Sequence, residues 1–517
     1  MADKIEAIEN DFILKKRGTN ELVKVKRRNG TGIQYVLIIL ILIMGVGLSS
    51  AILSPEQKNE PNAPITGEFR VNTYQTENQT FPKVARADSG QSVVTWISEK
   101  QEGALNGWGI YAQVIDNGGV KIGPELHVNT DPMYNQGTLG ALDVGMCNPI
   151  MGNLTFIVVW GDEEPTPNNY DVLAQVYNVS MLPPNIEAIG SNFVANWYTQ
   201  GSQGGMKEML SISMDAGCNR GAITWGTFGE TGSSPHDDFM GDIFAREFRF
   251  NAQGLFAFDD IAEWRVNTNL TTPQYDPEIS INDNGAYVIC WASYHTANPQ
   301  EIMARRFTWT AGQGSTPIDG QDFNASDLTS PTSDYEPTCS IMNNGYFMIG
   351  WTHNTNVPAT GLDAYGIAYD NNRQAPYPPM CMTLFSGTCL GNQYAASAST
   401  NRSDTWVWTW TDNGMDGSYE GVYGWMGTWT TIKGDVFRVT QTTLGNQSVS
   451  DVAMSSDGSY IIAWASEQSP KDAYGRIYNN VPNVPELGTG WFTACILATA
   501  TSMASIVIGR SRPRRGQ

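Results

Sequence analysis

The sequence has little charge and few histidines for its length. Of its 517 residues only 16% are Asp, Glu, Lys or Arg, and four are His. Long runs of Ala, Glu, Lys and Leu with helical spacing are missing, which argues against a mainly helical fold. None of the seven Cys forms a Cys-x-x-Cys pair or a Cys/His spacing typical of structural zinc, so no zinc site of that kind is predicted.

Gly, Trp, Tyr, Asn and Thr are abundant instead, which is typical of β-strands joined by polar turns. Acidic side chains outnumber basic ones by 52 to 31, and the formal net charge is −21. Basic residues gather in the first 34 and the last eight positions, so the body between them is more acidic still. Such a body repels nucleic acid and anionic lipid, and we expect no nucleic-acid partner.

The N-terminal region predicts a membrane anchor. Residues 35–53 form an uncharged apolar run long enough to cross a bilayer, and seven Lys or Arg residues precede it between positions 15 and 28. Because basic flanks stay in the cytoplasm, the body of the chain should lie outside. A signal peptide cleaved near 49–51 is an alternative. A pilin-type cut after Gly30 is a third, although the acidic residue expected early in such a helix is missing.

The C-terminal region carries a second apolar run, residues 488–509, preceded by Val484-Pro485-Glu486. Four arginines follow it, which is a stop-transfer pattern: Arg510, Arg512, Arg514 and Arg515. A short motif, a membrane helix and a terminal Arg cluster together resemble the sorting tails read by exosortases and archaeosortases. The resemblance implies cleavage near the motif and transfer to a surface anchor. Leu487 departs from the commonest motif, and a plain membrane helix is the alternative.

The sequence therefore predicts a cell-membrane protein whose residues 54–487 are extracellular. Its predicted segments are a cytoplasmic basic tail (1–34), a transmembrane signal anchor (35–53), a linker (54–66), a repeat body (67–480), a linker with the Val-Pro-Glu motif (481–487), a transmembrane helix (488–509) and a basic cytoplasmic tail (510–517). Seven Asn-x-Ser/Thr sequons in the outer part are the predicted glycosylation sites, Asn78, Asn153, Asn178, Asn269, Asn324, Asn401 and Asn446.

One pattern recurs seven times between the apolar runs. A hydrophobic strand ends in Trp at spacings of 54 to 66 residues, at Trp96, Trp160, Trp225, Trp291, Trp351, Trp410 and Trp464. A strand precedes each Trp strand, another follows it, and a closing strand ends several repeats. Four short strands in about 60 residues are typical of a propeller blade. We predict an all-β, seven-bladed propeller; a string of small β-sandwiches is the alternative, but each repeat is short for one.

The ends of the repeat array predict how the ring closes. The segment 67–73, GEFRVNT, matches a closing strand yet stands before the first Trp strand, while the last repeat ends at Tyr478 without one. Pairing of 67–73 into the seventh blade would complete it and remove an exposed edge. The repeats resemble those of large bacterial and archaeal surface proteins, where a Gly-Ile-Tyr-Ala-Gln/Arg-Phe strand alternates with a Glu-Phe-x-Val-Asn-Thr strand. That resemblance implies the fold and no activity.

The cysteines suggest a disulfide outside the cell. Cys381 and Cys389 lie in one Pro-rich loop and are predicted to pair. A disulfide between Cys147 and Cys218, on adjacent blades, is a further candidate pairing. Cys290 stands beside a core Trp and is interpreted as a small buried hydrophobe.

No catalytic residues are predicted. His127 falls in a closing strand, while His236, His295 and His353 fall in loops after Trp strands and would share one face of the propeller. Two interpretations of these histidines stay open: a metal-binding or catalytic role, or simple exposure in surface loops. The Asp box of sialidases is not matched. Calcium is a candidate cofactor at two acidic groups, Asp412–Glu420 and Asp237, Asp238 and Asp242. The alternative is that these Asp and Asn side chains only cap tight turns.

The functional hypothesis is a binding or structural module at the cell surface, in contact with a glycan or another protein, with a surface-layer component as one form. The alternative is a surface glycan hydrolase that uses acidic residues around the channel. Carboxylates that converge about 5–10 Å apart would favour the hydrolase.

Overall fold

The computed structural model describes three short stretches, 7–8, 11–15 and 22–26, and residues 64–479 with gaps at 104–106, 131–135, 138–139, 151–152, 164–169, 182, 200–201, 204–208, 229–240, 252–254, 260–261, 295–299, 311–313, 327–332, 355–360, 377, 383–390, 416–418, 430–435, 444 and 467–469. The chain divides into two compact units, residues 1–60 and residues 61–517. The first contains a three-stranded antiparallel sheet of β1 (Ala7–Ile8), β2 (Asp11–Lys15) and β3 (Leu22–Lys26).

No helix in the described ranges is long and apolar enough to span a membrane. The apolar runs 35–53 and 488–509 lie outside the described residues, as do Val484, Pro485 and Glu486. The two membrane segments and the sorting motif therefore stay predictions.

The second unit is built of seven sheets. Blade 1 contains β5 (Gln79–Arg86), β6 (Ser92–Glu99), β7 (Trp108–Ile115) and β8 (Lys121–His127). Blade 2 contains β9 (Leu142–Ile150), β10 (Asn153–Glu163), β11 (Tyr170–Met181) and β12 (Pro184–Val194), and β13 (Ser202–Gln203) bridges it to blade 3. Blade 3 contains β14 (Leu210–Met214), β15 (Gly221–Phe228), β16 (Ile243–Phe250), β17 (Phe256–Phe258) and β18 (Trp264–Arg265).

Blade 4 contains β19 (Gln274–Ile281), β20 (Ala286–Ser293), β21 (Glu301–Thr310), β22 (Gly314–Pro317) and β23 (Phe323–Asn324). Blade 5 contains β24 (Ser333–Ile341), β25 (Phe347–Asn354), β26 (Leu362–Tyr369) and β27 (Met380–Cys381). Blade 6 contains β28 (Asn392–Thr400), β29 (Thr405–Asn413), β30 (Glu420–Thr428) and β31 (Val436–Arg438). Blade 7 contains β32 (Gln447–Met454), β33 (Tyr460–Ser466), β34 (Asp472–Tyr478) and, from the N-terminal end, β4 (Phe69–Arg70).

The predicted ring closure is confirmed. β4 pairs antiparallel with β34, with Phe69 opposite Gly475 and Arg70 opposite Tyr474. Seven buried hydrophobic clusters each combine residues of two neighbouring blades, and one of them joins blade 7 to blade 1. The core is thus a closed ring of blade-to-blade interfaces, in which both faces of each sheet are covered.

The recurring Trp residues form the centre of this core. All seven are at most 1% exposed. In five blades the Trp Nε1 donates to a Gln at the start of the same blade, in the pairs Trp96–Gln79, Trp160–Gln136, Trp225–Gln203, Trp291–Gln274 and Trp464–Gln447. A buried indole needs such an acceptor, so each Trp both fills the interface and fixes the start of its blade.

The Val-Asn-Thr element has a structural role. Its Asn side chain donates to an Asp that begins the third strand of the same blade, as in Asn267 to Asp242 at 2.6 Å. The acidic residue that precedes it in the repeat accepts backbone N–H groups from the neighbouring blade, as Glu263 does from Trp197 and Tyr198. The motif therefore latches strands and blades together, because buried backbone groups require partners.

The cysteines are only partly as predicted. Cys147 and Cys218 form a disulfide that joins blades 2 and 3. Cys381 is also disulfide-bonded, but Cys389 lies outside the described residues, so that pairing stays a prediction. Cys290 is buried with a free thiol, as expected of a small hydrophobe.

Candidate functional site

The register of the sheets brings one side chain per blade into the central channel. In every blade, one residue of the innermost strand lies opposite the residue just before the buried Trp. These seven equivalent residues, the channel ring, are Lys83, Asp143, Ser211, Glu278, Thr338, Ser397 and Asp451. All but Asp143 and Ser211 line one cavity, at the end of the channel where the innermost strands begin. We name this end the channel mouth.

Four members of the channel ring have ionisable side chains, of which three are carboxyls and one is an amine. Lys83 interacts electrostatically with both Asp143 and Glu278, and Asp451 with the same two carboxyls. Asp276 and Glu336 add two more carboxyls at the channel mouth. Acidic groups therefore outnumber the single amine where blades 1, 2, 4, 5 and 7 meet.

A repeated β-bulge shapes the mouth. Two positions before the channel ring, five blades carry a non-glycine residue with φ between 51° and 53°, namely Phe81, Asp276, Glu336, Ala395 and Val449. The strand register shifts at each of these positions. A bulge re-aims the side chains that follow it, and left-handed backbone is costly for such residues. The chain thus uses the same local distortion five times, just before the ring residue of each of these blades.

Part of the hydrogen-bonding capacity of the channel ring holds neighbouring blades together. The Asp451 carboxylate accepts Val84 N–H of blade 1 and the Ser397 hydroxyl of blade 6, both at 2.8 Å. The Asp143 carboxylate likewise accepts Ile212 N–H of blade 3 at 2.8 Å. Ring residues therefore have a structural role whatever else they do.

Asp143 and Glu278 share one hydroxyl group. Ser211 Oγ donates to Asp143 at 3.0 Å and also hydrogen-bonds to Glu278. Two carboxyls that share a hydroxyl lie within about two hydrogen-bond lengths, roughly 6 Å. Burial raises the pKa of Asp143 to about 6 and that of Glu278 to about 8; Lys83 opposes both shifts and Asp451 adds to them. Burial therefore favours the neutral form of both carboxyls, and that of Glu278 more strongly.

Arg402 lies across the opposite end of the channel. Its Nη1 is 3.0 Å from Asp88 of blade 1, and its Nε is 3.9 Å from Asp283 of blade 4. Arg402 belongs to blade 6, so it reaches two blades away on each side. A guanidinium with partners on both sides therefore crosses this end of the channel.

Exposed aromatic residues lie on the face of the channel mouth. The second strands run antiparallel to the innermost ones and so end at the mouth, where their loops emerge. Tyr294 and Tyr419, in or beside these loops, are 45% and 54% exposed. Trp197, just after the fourth strand of blade 2, is 61% exposed on the same face. Flat exposed rings of this kind can stack on sugars or partner side chains.

Blade 5 departs from the repeat near the mouth. Where five blades carry the Gln that accepts the Trp indole, it carries Asp334, which contacts His353 Nδ1 at 2.5 Å. Trp351 Nε1 has no hydrogen-bond partner among the residues that the structure describes. Asp363 lies directly opposite His353 on the next strand, and burial raises its pKa to about 6. Three buried titratable groups thus form a row across three strands.

The predicted histidine positions are partly wrong. His353 was expected in a loop but lies in β25 and is buried, because Asp334 and Asp363 on the flanking strands cover it. His127 ends a closing strand, as expected, and its Nε2 is 2.6 Å from Glu102. His236 and His295 lie outside the described residues, so a shared histidine face stays a prediction.

The candidate calcium groups are largely structural where they are described. Asp242 accepts Asn267 and Arg265, and Asp412 accepts Met415 N–H. Asp237 and Asp238 are outside the described residues, and within the described part no group of three or more His, Cys, Asp or Glu could hold a metal ion. The sequon asparagines are half-buried except Asn401, which is buried, and their glycosylation stays a prediction.

The channel ring was missed by sequence reasoning. Alignment of the seven strands that precede the Trp strands, each counted back from its Trp through the turn, would have placed Lys83, Glu278 and Asp451 at one inward position. The bulges do not disturb this count, because each lies before the ring residue of its strand.

Comparison with known proteins identifies no family for this chain. No protein-family description and no curated protein matches the sequence. Among solved structures, a protein of unknown function from Dyadobacter fermentans is 10% identical, with TM-score 0.44 over 81% of this chain and 99% of that one. A Penicillium chrysogenum alpha-L-arabinanase is 12% identical, with TM-score 0.41 over 65% and 92%. A polysaccharide lyase that acts as an ulvan lyase is 9% identical, with TM-score 0.47 over 80% and 96%. Likeness at this level carries no information about activity.

Proposed function

We propose that this chain is a cell-surface β-propeller that acts as a binding module, with its ligand site at the channel mouth. The observation that carries the proposal is the convergence of Lys83, Asp143, Glu278 and Asp451 in the central channel. Charged groups from four blades meet there, and a concave site with few convergent polar groups is the usual form of a ligand site. The predicted terminal membrane segments would hold this site at the cell surface.

A glycan is the ligand class that the site favours. Carboxyl groups accept hydrogen bonds from sugar hydroxyls, and Glu278, with a pKa of about 8, can also donate one at neutral pH. Trp197, Tyr294 and Tyr419 offer stacking surfaces on the same face. The excess of carboxyls over amines would disfavour acidic sugars and favour neutral or amino sugars.

Calorimetric titration of the full chain with neutral and amino oligosaccharides tests this proposal. Replacement of Glu278 or of Lys83 by Ala should weaken binding by about tenfold, because each removes a hydrogen-bonding group inside the cavity. Glu187→Ala is the matched control, since Glu187 is exposed on an outer strand and loses the same side-chain atoms. Equal loss in ring and control variants, or no binding of any sugar, would contradict the proposal.

A surface glycan hydrolase is the second candidate, and one observation favours it. Asp143 and Glu278 share the Ser211 hydroxyl, and their different pKa values would suit one carboxylate base and one acid. Incubation of the full chain with the sugars that bind, followed by product analysis, separates the candidates. Turnover that is lost in Glu278→Gln while binding persists would establish the hydrolase and replace the simple binding module.

A further inference from the structure

Two free cysteines face each other between blades 4 and 5. Cys290 lies in β20 and Cys339 in β24, and both belong to the buried cluster that joins these blades. Cys339 immediately follows the ring residue Thr338, and Cys290 lies directly opposite the ring residue Glu278. The two thiols therefore sit in the wall of the channel, behind the ring.

The contacts of Cys339 place its sulfur against the backbone that surrounds Cys290. Cys339 Sγ is 3.5 Å from the carbonyl oxygen of Glu278 and 3.6 Å from that of Val288. Glu278 is the cross-strand partner of Cys290, and Val288 is two positions before it. Cys290 is also one of the neighbours that raise the pKa of the Cys339 thiol, so the two side chains are close together.

The chain already joins two blades covalently in a comparable way. Cys147, on the innermost strand of blade 2, is bonded to Cys218 of blade 3, with 71 positions between them and a Cα–Cα distance of 5.3 Å. Cys339 is likewise on an innermost strand and Cys290 is on the adjacent blade. The predicted export of residues 54–487 would place both pairs in an oxidising compartment, where paired thiols persist as disulfides.

We propose that Cys290 and Cys339 form a second inter-blade disulfide that joins blade 4 to blade 5. One thiolate attacks a small-molecule disulfide such as oxidised glutathione, which releases one glutathione thiol and leaves a mixed disulfide. The other cysteine then displaces the second glutathione, so two protein thiols are oxidised and one glutathione disulfide is reduced to two thiols. The inference does not depend on the proposed function.

Burial decides when the bond can form. Burial raises the pKa of the Cys339 thiol, and the neighbouring Cys290 adds to the shift, so little thiolate exists in the packed interface. Oxidation should therefore be fast while the two blades are still assembling and slow once the ring has closed. The Cys147–Cys218 bond, formed in the same refolding reaction, serves as the internal reference.

The full chain is unfolded and reduced, then refolded with reduced and oxidised glutathione, and its free thiols are alkylated in denaturant without reductant. Non-reducing peptide mapping should show a peptide linked through Cys290 and Cys339, beside the one linked through Cys147 and Cys218. Full alkylation of Cys290 and Cys339 in chains that carry the Cys147–Cys218 bond would overturn the proposal.

Single variants test the pairing itself. In Cys339→Ala, Cys290 should become alkylated in nearly all molecules, because its partner is gone. Protection of Cys290 in that variant would show a different partner and reject this disulfide. A variant with both Cys147→Ala and Cys218→Ala should still yield the Cys290–Cys339 peptide, and its loss there would equally count against an independent pair.

Discussion

Asn72 and Asp472 are separated by 400 positions, and Asn72 Nδ2 donates a 2.6 Å hydrogen bond to the Asp472 carboxylate. Asn72 Oδ1 also accepts Ala473 N–H at 2.9 Å, and the side chain is fully buried. Equivalent Asn–Asp pairs occur in blades 2 and 3, where both residues belong to a continuous repeat. At the seam the same pair joins the two ends of the propeller, so a local strand latch becomes the closure of the ring.

Replacement of Asn72 by Ala should weaken this closure. It removes one partner of the half-buried Asp472 carboxylate and the acceptor of a buried backbone N–H, and a loss of about 1–3 kcal/mol in the free energy of unfolding is expected. Urea unfolding measures the loss. The control is Gln75→Ala, since Gln75 is exposed and makes only a long 3.4 Å bond to Thr73. Equal stability of Asn72→Ala and wild type would show that the seam does not rely on this latch.

Blade 5 should become more stable when its Asp334–His353 pair is replaced by the Gln–Ser pair found in blade 4. The double change Asp334→Gln and His353→Ser installs the acceptor for Trp351 Nε1, with Ser as found at Ser293 in blade 4. A gain of about 1 kcal/mol is expected in urea unfolding, because a buried indole N–H is satisfied. In the converse control, Gln274→Ala deprives Trp291 of its acceptor and should lower stability. A less stable double variant would mean that the Asp334–His353 pair stabilises the fold.

Glu278 should make stability fall as pH rises. Its pKa is raised from the ordinary 4.5 to about 8 by burial and by Asp143 and Asp451, with Lys83 opposing. Between these two pH values the unfolded chain releases a proton that the folded protein keeps, so increasing pH favours unfolding. Glu278→Gln should remove much of this slope, while its stability below pH 4.5 stays near that of wild type. Parallel profiles of the two proteins from pH 4.5 to 8 would contradict the assignment.

Loss of the Cys147–Cys218 bond should destabilise the interface of blades 2 and 3. The bond closes a loop of 71 positions, and removal of a disulfide of this kind costs about 2–4 kcal/mol. The double variant Cys147→Ala, Cys218→Ala should therefore melt at lower temperature in scanning calorimetry. Wild type that has been unfolded, reduced and refolded under reducing conditions is the matched comparison and should melt close to the variant; an unchanged melting temperature would mean that packing alone holds this interface.

The sequence by itself determined the blades and the closure of the ring. The Trp strands recur because each blade is assembled from strands close in sequence, and local alternation and turn residues are visible in the chain. The segment 67–73 could be assigned to blade 7 because it matches a closing strand but precedes the first blade, while the last repeat lacks a closing strand of its own. Edge pairing requires no knowledge of side-chain positions.

Only the tertiary structure decided the site. Val84 and Asp451 are 367 positions apart and meet only because the ring closes. Lys83, Glu278 and Asp451 line one cavity although they belong to three different blades, and only the closed ring brings them together. Burial of Asp143 and Glu278, which raises their pKa values, and the contact of Cys290 with Cys339 likewise exist only when neighbouring blades are packed, because desolvation and proximity are properties of the assembled ring.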